Sequence, residues 1–308
     1  MKNNTNKSKT RYKMTTRRKK DFIAGYLFVG IFVIGFLSFT LMPFVYSFYL
    51  SFTEYDVLNP PKWIGVENYI RMFIKDDLFW HSFKVTCKFA LAQVPLRLIV
   101  SLIVALLMVK TTKMTGIYRL AFYIPSLIGG SVAVALTWKQ LWDVNGAINQ
   151  MLTNIGLPTV NWLNNTKTAL YILVLLGVWQ FGSQMLIFLA ALKDVPASLM
   201  EAATIDGAKS FKRFFYVTLP ILTPSIFFNL VNGIIGSMQA FSSAYLISSG
   251  GPLNSTLYYG LYQYRQAFQY RKMGYASAMA WFLMVVVVAL TALIFRSSSS
   301  WVYYQDET

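Results

Sequence analysis

Charge is scarce in this sequence. Of 308 residues only 13% are Asp, Glu, Lys or Arg, while 56% are hydrophobic. Soluble domains carry about 25% charged residues, so too few remain here to cover a water-facing surface. An ordinary soluble enzyme, a disordered chain and a coiled coil are excluded, and the composition fits a bilayer. Cysteine and histidine occur once each, as Cys87 and His81. One thiol excludes an internal disulfide, and the pair cannot build a zinc or haem centre. A catalytic triad would rest on His81 alone, and no nucleophile elbow accompanies it. The phosphate-binding signature G-x-x-x-x-G-K-[ST] is missing; Gly207-Ala208-Lys209-Ser210 lacks a glycine immediately before its lysine. The chain therefore has no catalytic residues, no metal set and no cofactor of its own, and any ATP with its Mg is handled by another chain.

What charge there is lies unevenly. The net charge is +16, and residues 1–21 alone hold nine basic side chains: Lys2, Lys7, Lys9, Arg11, Lys13, Arg17, Arg18, Lys19 and Lys20. A basic block against an apolar segment orients that segment and touches anionic headgroups. Nucleic acid is not the expected partner, because the aromatics sit inside apolar runs rather than on a basic face. Six stretches have about the 20 apolar residues that a crossing needs: Phe22–Leu50, Lys84–Met108, Ile117–Leu141, Ala169–Leu192, Ile221–Ile247 and Tyr275–Phe295. The first is too long for a signal peptide and no cleavage site follows, so it is expected to stay as an anchor. Seventeen basic residues fall on or beside the tail, 109–116, 193–220 and the C-terminal segment, and seven on the opposite loops. The positive-inside bias then predicts both termini inside. The expected organisation is a tail over 1–21, one six-span domain over 22–295 and a C-terminal tail over 296–308.

Of the outer loops, 53–79 reads as a structured loop with an interfacial piece at Trp63–Phe73, and 143–168 as a shorter excursion. Trp80, Trp138, Trp142, Trp162 and Trp301 fall near predicted interfaces, as in an aromatic belt. Arg97 sits near the middle of the second span, where a bond to backbone carbonyls of a neighbouring helix is the expected use. Pro43, Pro125 and Gly129-Gly130 are expected to kink their spans.

The loop between the fourth and fifth spans is the most informative segment. Asp194 is an apparent N-cap, Pro196 suits a first turn, Ala197 to Ile205 favour helix, and Gly207 permits a left-handed exit. Ser210 is placed to cap a second short helix. Ala202, Ala203, Gly207 and Ala208 leave a thin face flanked by Glu201 and Asp206. By composition the segment fits an interfacial amphipathic helix equally well.

Residue pattern separates the two readings. Glu201-Ala202-Ala203, Gly207, Val217 (where isoleucine is commonest), Leu219 and Pro220 resemble, in identity and spacing, the EAA loop of ABC importer permeases. Ser248-Ser249-Gly250-Gly251-Pro252 and Met273-Gly274-Tyr275-Ala276 are similar to carbohydrate permeases of the MalF/UgpA type, as are Tyr123-Ile124-Pro125 and Trp138. The resemblance spans Phe22 to Phe295. It implies an all-α integral membrane protein with the type I ABC importer permease fold and a cytoplasmic EAA coupling helix. It also implies a second permease subunit (a heterodimer), two ABC ATPase subunits, an extracellular solute-binding protein and a carbohydrate substrate.

By the same resemblance Glu201, Ala202, Ala203, Asp206, Gly207 and Ala208 meet the ATPase. The sugar pathway projects onto Trp179, Gln180 and Ser183 on one helical turn, and onto Gly233, Gly236, Ser237 and Ala240 on another face. Gln184, Asn229, Asn232 and Gln239 lie nearby. Trp179 is expected to stack on a sugar ring. Small and polar residues in spans also serve as interhelical glue, and that reading stays open. Two rivals are weighed. A non-sugar solute such as glycerol phosphate would want cationic groups, and no projected position is basic. An ATPase-independent secondary carrier would want intramembrane carboxylates, and the six stretches contain none.

Overall fold

The computed structural model describes residues 16–109 and 114–303. The tail up to residue 15, Lys110 to Lys113 and residues 304–308 lie outside the described residues, and with them most of the basic tail expected at 1–21. Within the described residues the regular structure is helical apart from one two-stranded ribbon.

The first span is α1 (Thr16–Phe36) and α2 (Met42–Ser51), joined by a π-helical turn at Leu37–Leu41. Pro43 has no N–H to give the ladder, and the wider turn stands immediately before it, so the helix passes the proline without breaking. This segment keeps its apolar side chains outward, with Phe28 79% and Phe39 86% exposed, as a lipid-facing helix requires. Strands β1 (Thr53–Glu54) and β2 (Lys62–Trp63) follow, antiparallel, with Thr53 opposite Trp63. Next come α3 (Glu67–Ile70) and a π-helical turn at Arg71–Lys75, where the interfacial piece was expected.

The second span starts earlier than hydropathy placed it. α4 runs Asp77–Met108, and the Asp76 carboxylate caps it by accepting from the Phe79 N–H at 3.1 Å. The other Asp76 oxygen accepts from the hydroxyls of Tyr262 and Tyr275, at 2.7 and 2.6 Å. Burial first, and then the bond to Asp76, push the Tyr262 hydroxyl well above its ordinary pKa, so it stays a donor. Asn68 ties the preceding loop down, donating to the carbonyls of Ser51 and Thr53. Gly274 completes the junction, because a Cβ there would run into the Thr53 carbonyl.

The third and fourth stretches do not form straight crossings. α5 (Thr115–Ile128) and α6 (Val132–Leu141) are bent by 100°, and α8 (Ala169–Trp179) and α9 (Gly182–Lys193) by 45°. α7 (Ala147–Asn154) forms the excursion between them. Among the described residues four helices are long and apolar enough to cross a membrane, or six if each bent pair counts as one span.

After the connecting segments α10 (Ala197–Ile205) and α11 (Ser210–Arg213), α12 runs Leu219–Met238. The fifth span was expected to reach Ile247 but ends at Met238, where the Gln239 N–H is shared between the carbonyls of Ile235 and Ser237. The run 239–243, Gln-Ala-Phe-Ser-Ser, then turns away before the short helical turn at Ala244–Ser248. Finally α13 (Tyr259–Tyr264) leads into the last crossing, α14 (Met273–Ser298).

α4 is the hub, packed on α8, α9 and α12. Two apolar cores lie along it. One, around Phe79, Leu173, Tyr258 and Tyr259, backs the loop-rich end; the other, around Ala105, Met185, Phe188 and Leu222, backs the end carrying α10.

Candidate functional site

The breaks in the two bent pairs meet each other, and α4 holds them together. At the α8–α9 break the Gln180 carbonyl has left its own ladder and accepts from Nη2 of Arg97 at 2.5 Å. One turn along α4, the Ser101 hydroxyl donates to the Arg97 carbonyl, with a longer contact to the Phe181 carbonyl at 3.3 Å. The Gln180 side chain in turn donates to the Gly129 carbonyl, at the α5–α6 break, at 3.2 Å. A Cβ at Gly129 would overlap the Gln180 side chain, so that glycine is required by the contact. Gly182 has the same logic: a methyl there would meet the Phe122 carbonyl and the Tyr123 backbone of α5. Ser131 restarts the helix, accepting from the Val134 N–H at 3.3 Å. The kink expected at Pro125 and Gly129-Gly130 is therefore a full break after Ile128.

Around this junction lies a cavity of about 550 Å³, inside the roughly 300–1,000 Å³ range of small-molecule sites. Gln180, Ser183 and Gln184 line one side; Gly233, Gly236, Ser237, Gln239 and Ala240 line another, with Asn229 and Asn232 beside them. The first group is split by the break rather than carried on one helical turn. Trp179 is not among the lining residues. It lies beside Trp138, ring centroids 5.9 Å apart, packed against the larger core. The aromatic surfaces facing the cavity come instead from Phe89, Phe228 and Phe241. Phe241 stacks on Tyr245 at 5.2 Å with only 16° between planes.

Hydrogen bonding fixes much of this lining. Ser237 donates to Gln93 Oε1 at 2.6 Å, Ser183 donates to the Ser126 hydroxyl at 3.1 Å, and Gln184 donates to the Asn229 carbonyl at 3.5 Å. The Asn229 amide nitrogen and Arg97 Nε are buried without acceptors. Among the lining residues absent from the projected pathway are two long polar side chains of α4, Gln93 and Arg97. Both are polar, one helical turn apart within a span, and that spacing was the available signal. None of the projected positions is basic, but Arg97 adds a cation to the lining.

At the opposite end, residues 193–220 form the expected two short helices with different caps. Asp194 closes α9 rather than opening α10, whose N-cap position is Pro196 in an extended conformation. Ser210 is the first helical residue of α11, behind Lys209, and its hydroxyl accepts from Arg213 at 3.3 Å. α10 ends in a Schellman turn: Ala208 N–H donates to the Ala203 carbonyl at 2.9 Å and Gly207 N–H to the Thr204 carbonyl at 3.0 Å. Gly207 holds φ +74°, with open space around it. Arg213 straps the two helices by donating to the Thr204 hydroxyl at 2.6 Å. Glu201, Ala202, Asp206 and Gly207 are exposed; Ala203 and Ala208 are half-buried under the turn. Ile205 is 87% exposed at the tip, an apolar side chain with nothing over it.

The sequence matches the family described as binding-protein-dependent transport system inner membrane component over residues 88–304. It is 51% identical over 292 residues to YesP of Bacillus subtilis (strain 168), a probable ABC transporter permease protein, covering 94% of each chain. It is 33% identical over 276 residues to AmyD of Thermoanaerobacterium thermosulfurigenes, a probable starch degradation products transport system permease protein, covering 88% of this chain and 93% of that one. The fold is similar to a chain of the bacterial alginate ABC transporter crystallised with an alginate pentasaccharide-bound periplasmic protein. The TM-score is 0.78 at 21% identity, over 91% of this chain and 95% of that one.

Proposed function

The chain belongs to the inner membrane component family of binding-protein-dependent transport systems, and from that premise we propose that it forms half of the membrane pathway of an ATP-driven oligosaccharide importer. The observation that carries this reading is the cavity at the meeting of two broken helices, which sets amides and hydroxyls among apolar side chains, with a small-residue helix at the far end of the same bundle. Amide and hydroxyl groups of Gln180, Ser183, Gln184 and Ser237 match the hydroxyls of a sugar, and Phe241 offers a ring face. AmyD is named for transport of starch degradation products, and the periplasmic protein crystallised with the alginate transporter carries an alginate pentasaccharide. An ATPase-independent secondary carrier is not favoured: the family works with binding proteins, and the crossings lack the carboxylates that ion coupling uses.

In this mechanism the chain is not an enzyme; hydrolysis belongs to a separate ATPase subunit. Residues 193–220 face the cytoplasm with both termini, and the loops around β1–β2, α7 and α13 face outward. A second permease subunit completes the cavity, and an external binding protein delivers the sugar to it. Two ATPases dock beneath, one taking α10 through Glu201, Ala202, Ala203, Asp206, Gly207 and Ala208. Their closure moves α10 as a rigid lever, and α9 and α12, which flank it, carry that motion to the cavity. Transport assays in cells expressing the importer test this. Uptake of a labelled oligosaccharide must require the chain and ATP, and Ile205→Asp must abolish both uptake and copurification of the ATPase while the membrane bundle stays folded. ATP-independent uptake by the wild type overturns the reading.

A further inference from the structure

Arg97 is the one charged residue among those lining the central cavity. Every described acidic side chain outside the N-terminal helix lies at one end or the other of the bundle: Glu54, Asp56, Glu67, Asp76, Asp77 and Asp143 near the loop-rich end, Asp194, Glu201 and Asp206 near the opposite one. No carboxylate within the described cavity balances the guanidinium. Its recorded partner is the Gln180 carbonyl, at the C-terminal end of α8. A helix C-terminus is equivalent to only about −0.5 of a unit charge, and α9 starts at Gly182 with the opposite pole, so this carbonyl does not neutralise the cation. Nε is buried with no acceptor. A bare helix pin would need only a neutral donor, as Gln180 itself provides toward Gly129. Keeping a guanidinium at membrane depth is expensive, and the expense makes sense where a ligand brings the opposite charge.

Resting on the importer reading above, we infer that the transported saccharide carries a carboxylate, as a uronic acid residue does, and that Arg97 is the residue of this chain that recognises it. Guanidinium and carboxylate match in shape as well as in sign, since the planar donor fork meets two coplanar oxygens. The surrounding neutral amides and hydroxyls serve the sugar's remaining hydroxyls, and the absence of a second cation in this lining suits one acidic group at a time rather than a doubly charged phosphate.

The test uses the intact importer in cells and a matched pair of labelled probes: trigalacturonate, and the same trisaccharide with its carboxyls reduced to neutral galactose. Wild type is expected to take up the uronate at least about tenfold better, the scale of one charged hydrogen bond. Arg97→Gln should remove most of that preference, lowering uronate uptake at least about tenfold more than uptake of the neutral probe, and Arg97→Lys should restore part of it. Equal loss of both probes in Arg97→Gln would mean that the residue only pins the broken helices, and the inference falls. Wild-type preference for the neutral probe overturns it too, with the sugar-importer reading intact. If neither probe enters and a panel of other saccharides also fails, the sugar reading itself fails and takes the inference with it.

Discussion

Single residues in this protein do one of two jobs, filling a close approach or facing open space, and substitution separates them. Gly182→Ala drives a methyl into the Phe122 carbonyl, so we expect the detergent-solubilised protein to lose about 1–3 kcal/mol, read as a lower midpoint of thermal unfolding. Gly236→Ala has nothing within 4 Å of the new methyl; it should leave the midpoint within about 0.5 kcal/mol of wild type and act, if at all, on uptake. Trp179→Ala removes a large side chain packed against the core beside Trp138. It should destabilise by about 3–5 kcal/mol, and any loss of transport should track the loss of folded protein. Ser183→Ala, at an exposed cavity position, should change transport without moving the unfolding midpoint. The polar and small positions Gln180, Ser183, Gly233 and Ser237 were legible as a set because amides, hydroxyls and missing side chains stand out in an apolar run. Trp179 misled because an aromatic in a span has the same composition whether it faces a cavity or a core, and only packing distinguishes them.

Among the elements, α10 was readable to the residue, since helix formers, small side chains and a glycine stop agree there. Its caps were not: Asp194 and Ser210 are both good capping residues, yet the chain enters α10 through an extended Pro196 and α11 through Lys209. The stop itself gives a test. Gly207→Ala forces a methyl-bearing residue to φ +74° in open space, so the strain is conformational and costs about 1–2 kcal/mol locally. Gly207→Asn should be tolerated better than Gly207→Ala, and the order should appear in substrate-stimulated ATPase activity of the assembled importer. The break in the third span was expected only as a kink at Pro125 and Gly129-Gly130, and the break in the fourth was not expected at all. Hydropathy counts apolar residues and cannot see that Gln180 reaches Gly129 or that Arg97 takes the Gln180 carbonyl. Those bonds join residues 51 and 83 positions apart.

For the molecule as a whole, composition announced the bilayer, and the apolar runs fall on the four helices long enough to cross and on the two bent pairs, although α4 starts at Asp77 rather than Lys84 and α12 ends at Met238 rather than Ile247. The proposed sidedness can be read directly, because Cys87 is the sole cysteine. In a Cys87→Ala background, a cysteine replacing Ile205 should react with an impermeant maleimide only when the cytoplasmic face is open. One replacing Leu58 should react from outside in intact cells. The reverse pattern would invert the topology.

The interlocked breaks also bear on how the protein is made. A chain bent by 100° after Ile128 cannot enter lipid as a rod, since freed carbonyls and amides at the corner would meet hydrocarbon without partners, at several kcal/mol each. The group that satisfies the Gly129 carbonyl, the Gln180 amide, belongs to a later span. Residues 115–141 must therefore leave the insertion machinery either as a continuous helix or sheltered within it until 169–193 has been synthesised. On either route the bend is completed only once 169–193 is available to pair with it. A nascent chain arrested before Gln180 emerges should keep the third span straight, and Gln180→Leu should stall maturation at that stage rather than weaken a finished fold.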